Sequence, residues 1–85
     1  MVEKETVVGH AKLHARPAAL LVHRAKQFDS EVKLEKGGKS KNAKSVMGIM
    51  ALGALEGDKI KVTAQGPDEE KAAEAVAAVV SGEGS

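Results

Sequence analysis

At 85 residues with a net charge of +1, the chain has room for one domain and lacks the basic excess of a dedicated nucleic-acid-binding module. Fourteen of its apolar residues are alanine and only Phe28 is aromatic, so large core side chains are few and there is no ring platform on which bases could stack. Without cysteine there are no disulfides or thiolate metal sites, and no apolar run is long enough to span a membrane.

The opening residues, MVEKETVV, carry charges where a signal peptide would need an apolar stretch, so a soluble cytoplasmic protein is expected. The same segment, Val2 to Val8, reads as a weak strand: Val7 and Val8 fall on opposite faces and leave its register open. Ala18, Leu21, Val22, Ala25 and Phe28 then recur at three- and four-residue steps, the stripe of a helix with Pro17 in its first turn. Val32 and Leu34 alternate with Glu31, Lys33 and Glu35, a strand with one wet face. Gly37-Gly38 suits a tight hairpin turn with positive φ, leading into a short polar strand, Lys39 to Ala43. Ser45 is placed to cap a short helix from Val46 to about Leu52. Ile60, Val62 and Ala64 alternate with Lys59, Lys61, Thr63 and Gln65, a fourth strand. Pro67 opens a last helix whose acidic first turn, Asp68 to Glu70, complements the helix dipole and whose stripe is Ala72, Ala73, Val76, Val79 and Val80; Gly82 ends it. The order is β-α-β-β-α-β-α. Half-wet strands imply an α+β, open-faced β-sandwich: a four-stranded antiparallel sheet with three helices on one face. Residues 1–85 form a single domain, with about 82–85 a frayed tail.

The segment Leu13-His14-Ala15-Arg16-Pro17-Ala18-Ala19 sets a histidine just before a helix whose first turn holds an arginine. A helix N-terminus offers unpaired N–H groups and partial positive charge, a ready anion site, and Arg16 adds a guanidinium that can fork onto phosphate oxygens. The same positive field favours a neutral, nucleophilic imidazole at His14. On residue chemistry alone, a phosphate-accepting nucleophile and an ordinary cap at a helix start both remain open. His10 and His14 are four apart, but the helix begins after both, so a metal site is not expected. His23 falls on the side of its helix away from the apolar stripe and reads as solvated. Lys33, Lys36, Lys39, Lys41 and Lys44 form a basic run that reads as the wet face of a hairpin able to steer acidic partners. Leu20 lies one step off its stripe, and Val46, Met47, Met50 and Leu52 cannot all be buried by a helix of two turns. With Ala15 and Ala19, those that stay outside would form a docking patch around His14, where methionine suits a surface that accepts several partners.

The run from Leu13 to Ala19 resembles the active-site motif of HPr, the histidine-containing phosphocarriers of the bacterial phosphoenolpyruvate:sugar phosphotransferase system. Lys44-Ser45-Val46-Met47-Gly48-Ile49-Met50-Ala51-Leu52 resembles the regulatory-serine segment of the same family, and the 31 positions from His14 to Ser45 agree with it. Lys12 departs from the glycine usual before the Leu/Ile-His pair. The resemblance covers essentially the whole chain and implies the open-faced sandwich reached above. It also implies a carrier that is not an enzyme by itself. His14 would be phosphorylated at Nδ1 by phospho-enzyme I and would donate to the A domain of sugar-specific enzyme II. Arg16 would contact the phosphoryl group and Pro17 would position the helix start. Ser45 would be the phosphoserine of an HPr kinase/phosphorylase, with a catabolite-control transcription factor as a further partner. No cofactor, metal, nucleic acid or membrane insertion is implied, and a monomer is expected. The alternative is a non-enzymatic regulatory module docking a transcription factor or metabolic enzyme.

Overall fold

The computed structural model describes residues 1–10 and 15–82. Its elements are β1 (Val2–Val7), α1 (Ala15–Ala25), β2 (Glu31–Lys36), β3 (Lys39–Asn42), α2 (Val46–Ala51), β4 (Lys59–Gln65) and α3 (Glu69–Val80). The strands form one antiparallel sheet in the order β1-β4-β2-β3, the expected open-faced arrangement.

The period of two puts Val32, Leu34, Ile60, Val62 and Ala64 on the covered face, where they are buried with Leu21, Ala25, Ile49 and the α3 stripe. Burial also settles the register of β1. Val8 is buried just past the strand end, and Val2 packs partly against the core. Thr6 Oγ1 reaches the Ala77 carbonyl of α3, so Val2, Lys4, Thr6 and Val8 share the helix side, while Val7 is exposed on the open face. That open face balances its own charges: Glu5 pairs in register with Lys61, and Lys61 with Glu35, its Nζ 3.7 Å from the carboxylate. Gly37 and Gly38 close the β2–β3 hairpin with φ of 53° and 87°, as a two-residue turn between twisted strands requires.

Besides β1, which ends at Val7 rather than Val8, three boundaries differ from expectation. α1 ends at Ala25, and Phe28 lies in the following turn, because the Gln27 and Phe28 amides take carbonyls three residues back. Phe28 remains partly buried, with the Arg24 guanidinium 5.6 Å from its ring centre. Pro67 stands ahead of α3, whose N-cap is Asp68. The β3 strand ends at Asn42, though the Ala43 amide still donates to the Val32 carbonyl at 2.8 Å. Among the described residues no helix is long and apolar enough to cross a membrane.

Candidate functional site

His14 lies outside the described residues; the structure takes up the motif at Ala15, the first residue of α1. Ala15 and Arg16 are exposed, whereas Pro17 is buried as the third residue of the helix. Proline is tolerated there because the first-turn N–H groups have no intrahelical partner. The first turn contains no acidic residue, so nothing in it offsets the positive end of the helix or the Arg16 guanidinium. The first turn of α3, with Glu69 and Glu70, is neutralised by its own side chains. The amphipathic pattern explains the rest of the presentation: Ala18, Leu21, Val22 and Ala25 hold α1 to the core, which turns Ala19, Leu20 and His23 outward.

α2 packs beside α1 and starts as its residues dictate. Ser45 is extended (φ −124°, ψ 115°), and its Oγ accepts the Gly48 amide at 3.1 Å. Only Ile49 of the helix is buried. Met47 is 78% exposed and Met50 42%, with Leu20 on α1 at 44%. Val46 is partly buried against the core and contributes only an edge. Leu52 must be removed from the candidate docking residues: at 2% exposure it belongs to the core, because α2 ends at Ala51 and the chain turns inward there.

The sequence reading passed over Leu55, which is 53% exposed in the loop after α2. Asp58 holds that loop. Its carboxylate accepts the Leu55 amide at 2.9 Å and the Lys36 ammonium at 3.0 Å, while Lys36 Nζ also reaches the Gly53 carbonyl at 3.1 Å. The Leu55 amide first, and Lys36 second, hold the Asp58 carboxyl below its usual range. A lone leucine among glycines and charges was the available signal. The basic run is accordingly not one uniform face: Lys36 serves the loop, and Lys44 Nζ donates to the Phe28 carbonyl at 2.9 Å.

The surface offers shallow depressions. One of about 300 Å³ between α1 and α3 is lined by Leu20, His23, Arg24, Gln27, Ala75, Ala78 and Val79, and among the described residues Leu20 is the only docking candidate it touches. The exposed features are therefore an arginine at an electropositive helix start and apolar side chains on two adjacent helices, a combination suited to handling an anion while docked on another protein.

Residues 2–81 match the family described as PTS HPr component phosphorylation site. The chain is similar to the crystal structure of phosphocarrier protein HPr from Bacillus anthracis, with 48% identity and a TM-score of 0.87 over 93% of this chain and 95% of that one. HPr-C-His from Thermoanaerobacter tengcongensis is 44% identical, with a TM-score of 0.86 over 94% and 91% of the two chains. The Bacillus subtilis catabolite repression containing protein Crh, described as a swapped dimer, is 48% identical, with a TM-score of 0.81 over 98% and 97%.

Proposed function

The chain belongs to the HPr family, the phosphocarriers of the phosphotransferase system, and on that premise we propose that His14 accepts a phosphoryl group from phospho-enzyme I and passes it to the A domain of a sugar-specific enzyme II. The observation that carries this reading is the exposed Arg16 in an acid-free first turn, two residues after His14. Nδ1 of a neutral His14 attacks phosphorus in line, and the bond from phosphorus to the donor imidazole breaks. The donor, protonated at its other ring nitrogen, leaves as a neutral imidazole, and His14 keeps its Nε2 proton and carries the phosphoryl group as an imidazolium, so no proton has to move. Arg16 and the helix N-terminus stabilise charge on the transferring oxygens, and the partner completes the site. The exposed residues Ala15, Ala19, Leu20, Met47 and Met50, with the edge of Val46, serve docking in small, transient contacts. The carrier acts in the cytoplasm as a monomer and needs no cofactor.

Ser45 is the regulatory phosphorylation site in this reading. A phosphate on Oγ would place nearly two negative charges at the start of α2, tolerable for the helix but adverse beside Met47. The likeness to the catabolite repression protein supports a second reading, a module that docks a regulatory partner through the same face; the His14–Arg16 motif favours the carrier.

Incubation with enzyme I and labelled phosphoenolpyruvate tests the proposal. The wild type should take label in an acid-labile, alkali-stable form, His14→Ala should take none, and His23→Ala should still label. Wild-type labelling of His14→Ala, or an acid-stable product, overturns it.

A further inference from the structure

The two edges of the sheet differ. β3 is four residues long and carries Lys39 and Lys41, a short cationic edge of the kind that discourages further pairing. β1 is six residues long and pairs only with β4. Just past its end, the Val8 amide donates to the Asp58 carbonyl on the β4 side. Backbone groups alternate in direction along an antiparallel strand, so the N–H and C=O groups of Glu3, Glu5 and Val7 point away from the sheet. Among the described residues none of them is bonded there. A groove runs beside this edge. Two depressions of about 290 and 340 Å³ lie end to end between β1 and α3 and share Lys4 and Glu74. Ala73 and Ala77 bring only a methyl group each to it, and Glu70 and Glu74 stand along its α3 side. Among the described residues, none of α1 or α2 lines either depression.

We propose that the β1 edge takes an added strand from another protein, an extended segment with lysine or arginine at alternate positions. Its backbone completes the ladder at Glu3, Glu5 and Val7. The sign of its side chains follows from the rows already present. Glu35 of β2, Lys61 of β4 and Glu5 of β1 alternate across the open face, so the next strand out continues the row with a cation, and Glu3 calls for a second one two residues along. On the helix side, Ala73 and Ala77 leave room for side chains between the added strand and α3, where Glu70 and Glu74 again favour cations. The ion pair of Lys4 with Glu74, 3.8 Å apart and solvent-exposed, crosses this groove and is weak enough to open. A second copy of this chain is a poorer occupant, because antiparallel pairing of two β1 strands about Glu3, Lys4 or Glu5 sets glutamate opposite glutamate. A strand on this edge leaves the exposed residues of α1 and α2 uncovered, so the inference goes beyond the carrier reading and does not depend on it.

The test follows proton–nitrogen correlation spectra of the isotope-labelled full chain during titration with an end-blocked peptide of alternating lysine and valine. The amides of Glu3, Glu5 and Val7 should shift and gain protection from hydrogen exchange. The glutamate–valine counterpart should leave them unmoved, and so should a lysine–valine peptide whose backbone nitrogens are methylated. Glu3→Lys combined with Glu5→Lys alters two exposed side chains, so the fold is retained, and should weaken peptide binding roughly tenfold. No shift at millimolar lysine–valine peptide, equal binding of the methylated peptide, wild-type affinity in the double variant, or shifts confined to α1 and α2 overturns the proposal. Shifts of the same three amides on raising the protein concentration alone would make the occupant a second copy, and overturn it as well.

Discussion

The second and third helices look alike on paper, each with a polar residue ahead of an apolar run, yet they are started by opposite means. Ser45 caps its own helix through the Gly48 amide, a purely local bond. Asp68 occupies the corresponding position of α3 and makes no side-chain bond to that helix. Its carboxylate crosses to the β2 approach instead, accepting the Asp29 and Ser30 amides at 3.0 Å each and the Ser30 hydroxyl, while its own amide donates to Ser30 Oγ at 3.2 Å. Glu69 accepts the Gly66 amide at 3.1 Å and pairs with the N-terminal ammonium at 3.1 Å. α3 buries Ala72, Ala73, Val76, Ala77, Val79 and Val80; α2 buries Ile49 alone. One helix is built into the fold from both ends. The other has one fully buried side chain, a partly buried Val46 at its edge, and Met47 and Met50 left on display.

The largest expected effect comes from removing that buried side chain. Ile49→Ala should cost about 3 kcal/mol by urea denaturation, since α2 loses its single core side chain and leaves a cavity. Val76→Ala in α3 should cost about 2 kcal/mol, because five other buried residues still hold that helix. Equal losses would mean that α2 is held by more than Ile49.

The start of α3 should be the acid-sensitive one. The Ser30 hydroxyl, then the Asp29 amide, hold the Asp68 carboxyl below its usual range, and the Gly66 amide, then the N-terminal ammonium, do the same for Glu69. A folded-state pKa below the unfolded one contributes stability above the unfolded value, about 4 for these groups, and that contribution is lost as pH falls through the folded values. Asp68→Asn should therefore lower the urea midpoint at pH 7, and the deficit should shrink as pH falls below about 4. An equal deficit at pH 7 and pH 3 would break the contrast between the two starts.

The hydroxyl cap of α2 has no such dependence. Ser45→Ala should cost about 1 kcal/mol at neutral pH. Ser45→Asp should leave the melting temperature unchanged or slightly raised, while slowing His14 labelling at low enzyme I concentration. Superimposable labelling curves for wild type and Ser45→Asp would make Ser45 a cap and nothing more. Smallest of all, Met47→Ala should alter stability by no more than about 0.5 kcal/mol while raising the half-saturating enzyme I concentration.

Much of this was legible from residue order. Alternation marked β2 and β4, the two glycines marked the hairpin, and Ser45 marked the start of α2, because each depends on neighbours within four positions. The motif from Leu13 to Ala19 could be read for the same reason, and Arg16 and Pro17 lie where a helix start puts them. Leu52 and Leu55 could not be sorted in this way. Both are leucines near the end of α2, and only the path of the chain buries the first and exposes the second.

By itself, the sequence determined the kinds and order of the elements, because hydrophobic period, turn residues and caps act over one or two turns of chain. Tertiary structure decided what those properties could not reach. It set the register of β1 through the burial of Val8 and the reach of Thr6 to α3. It turned Asp68 from an acid of the first turn of its own helix into a clasp on Ser30, 38 positions away. It brought His10 against Val79, 69 positions away. The physical reason is common to all three: each group takes a partner that local spacing cannot supply, and only the packed sheet and helices place that partner within hydrogen-bond or van der Waals reach.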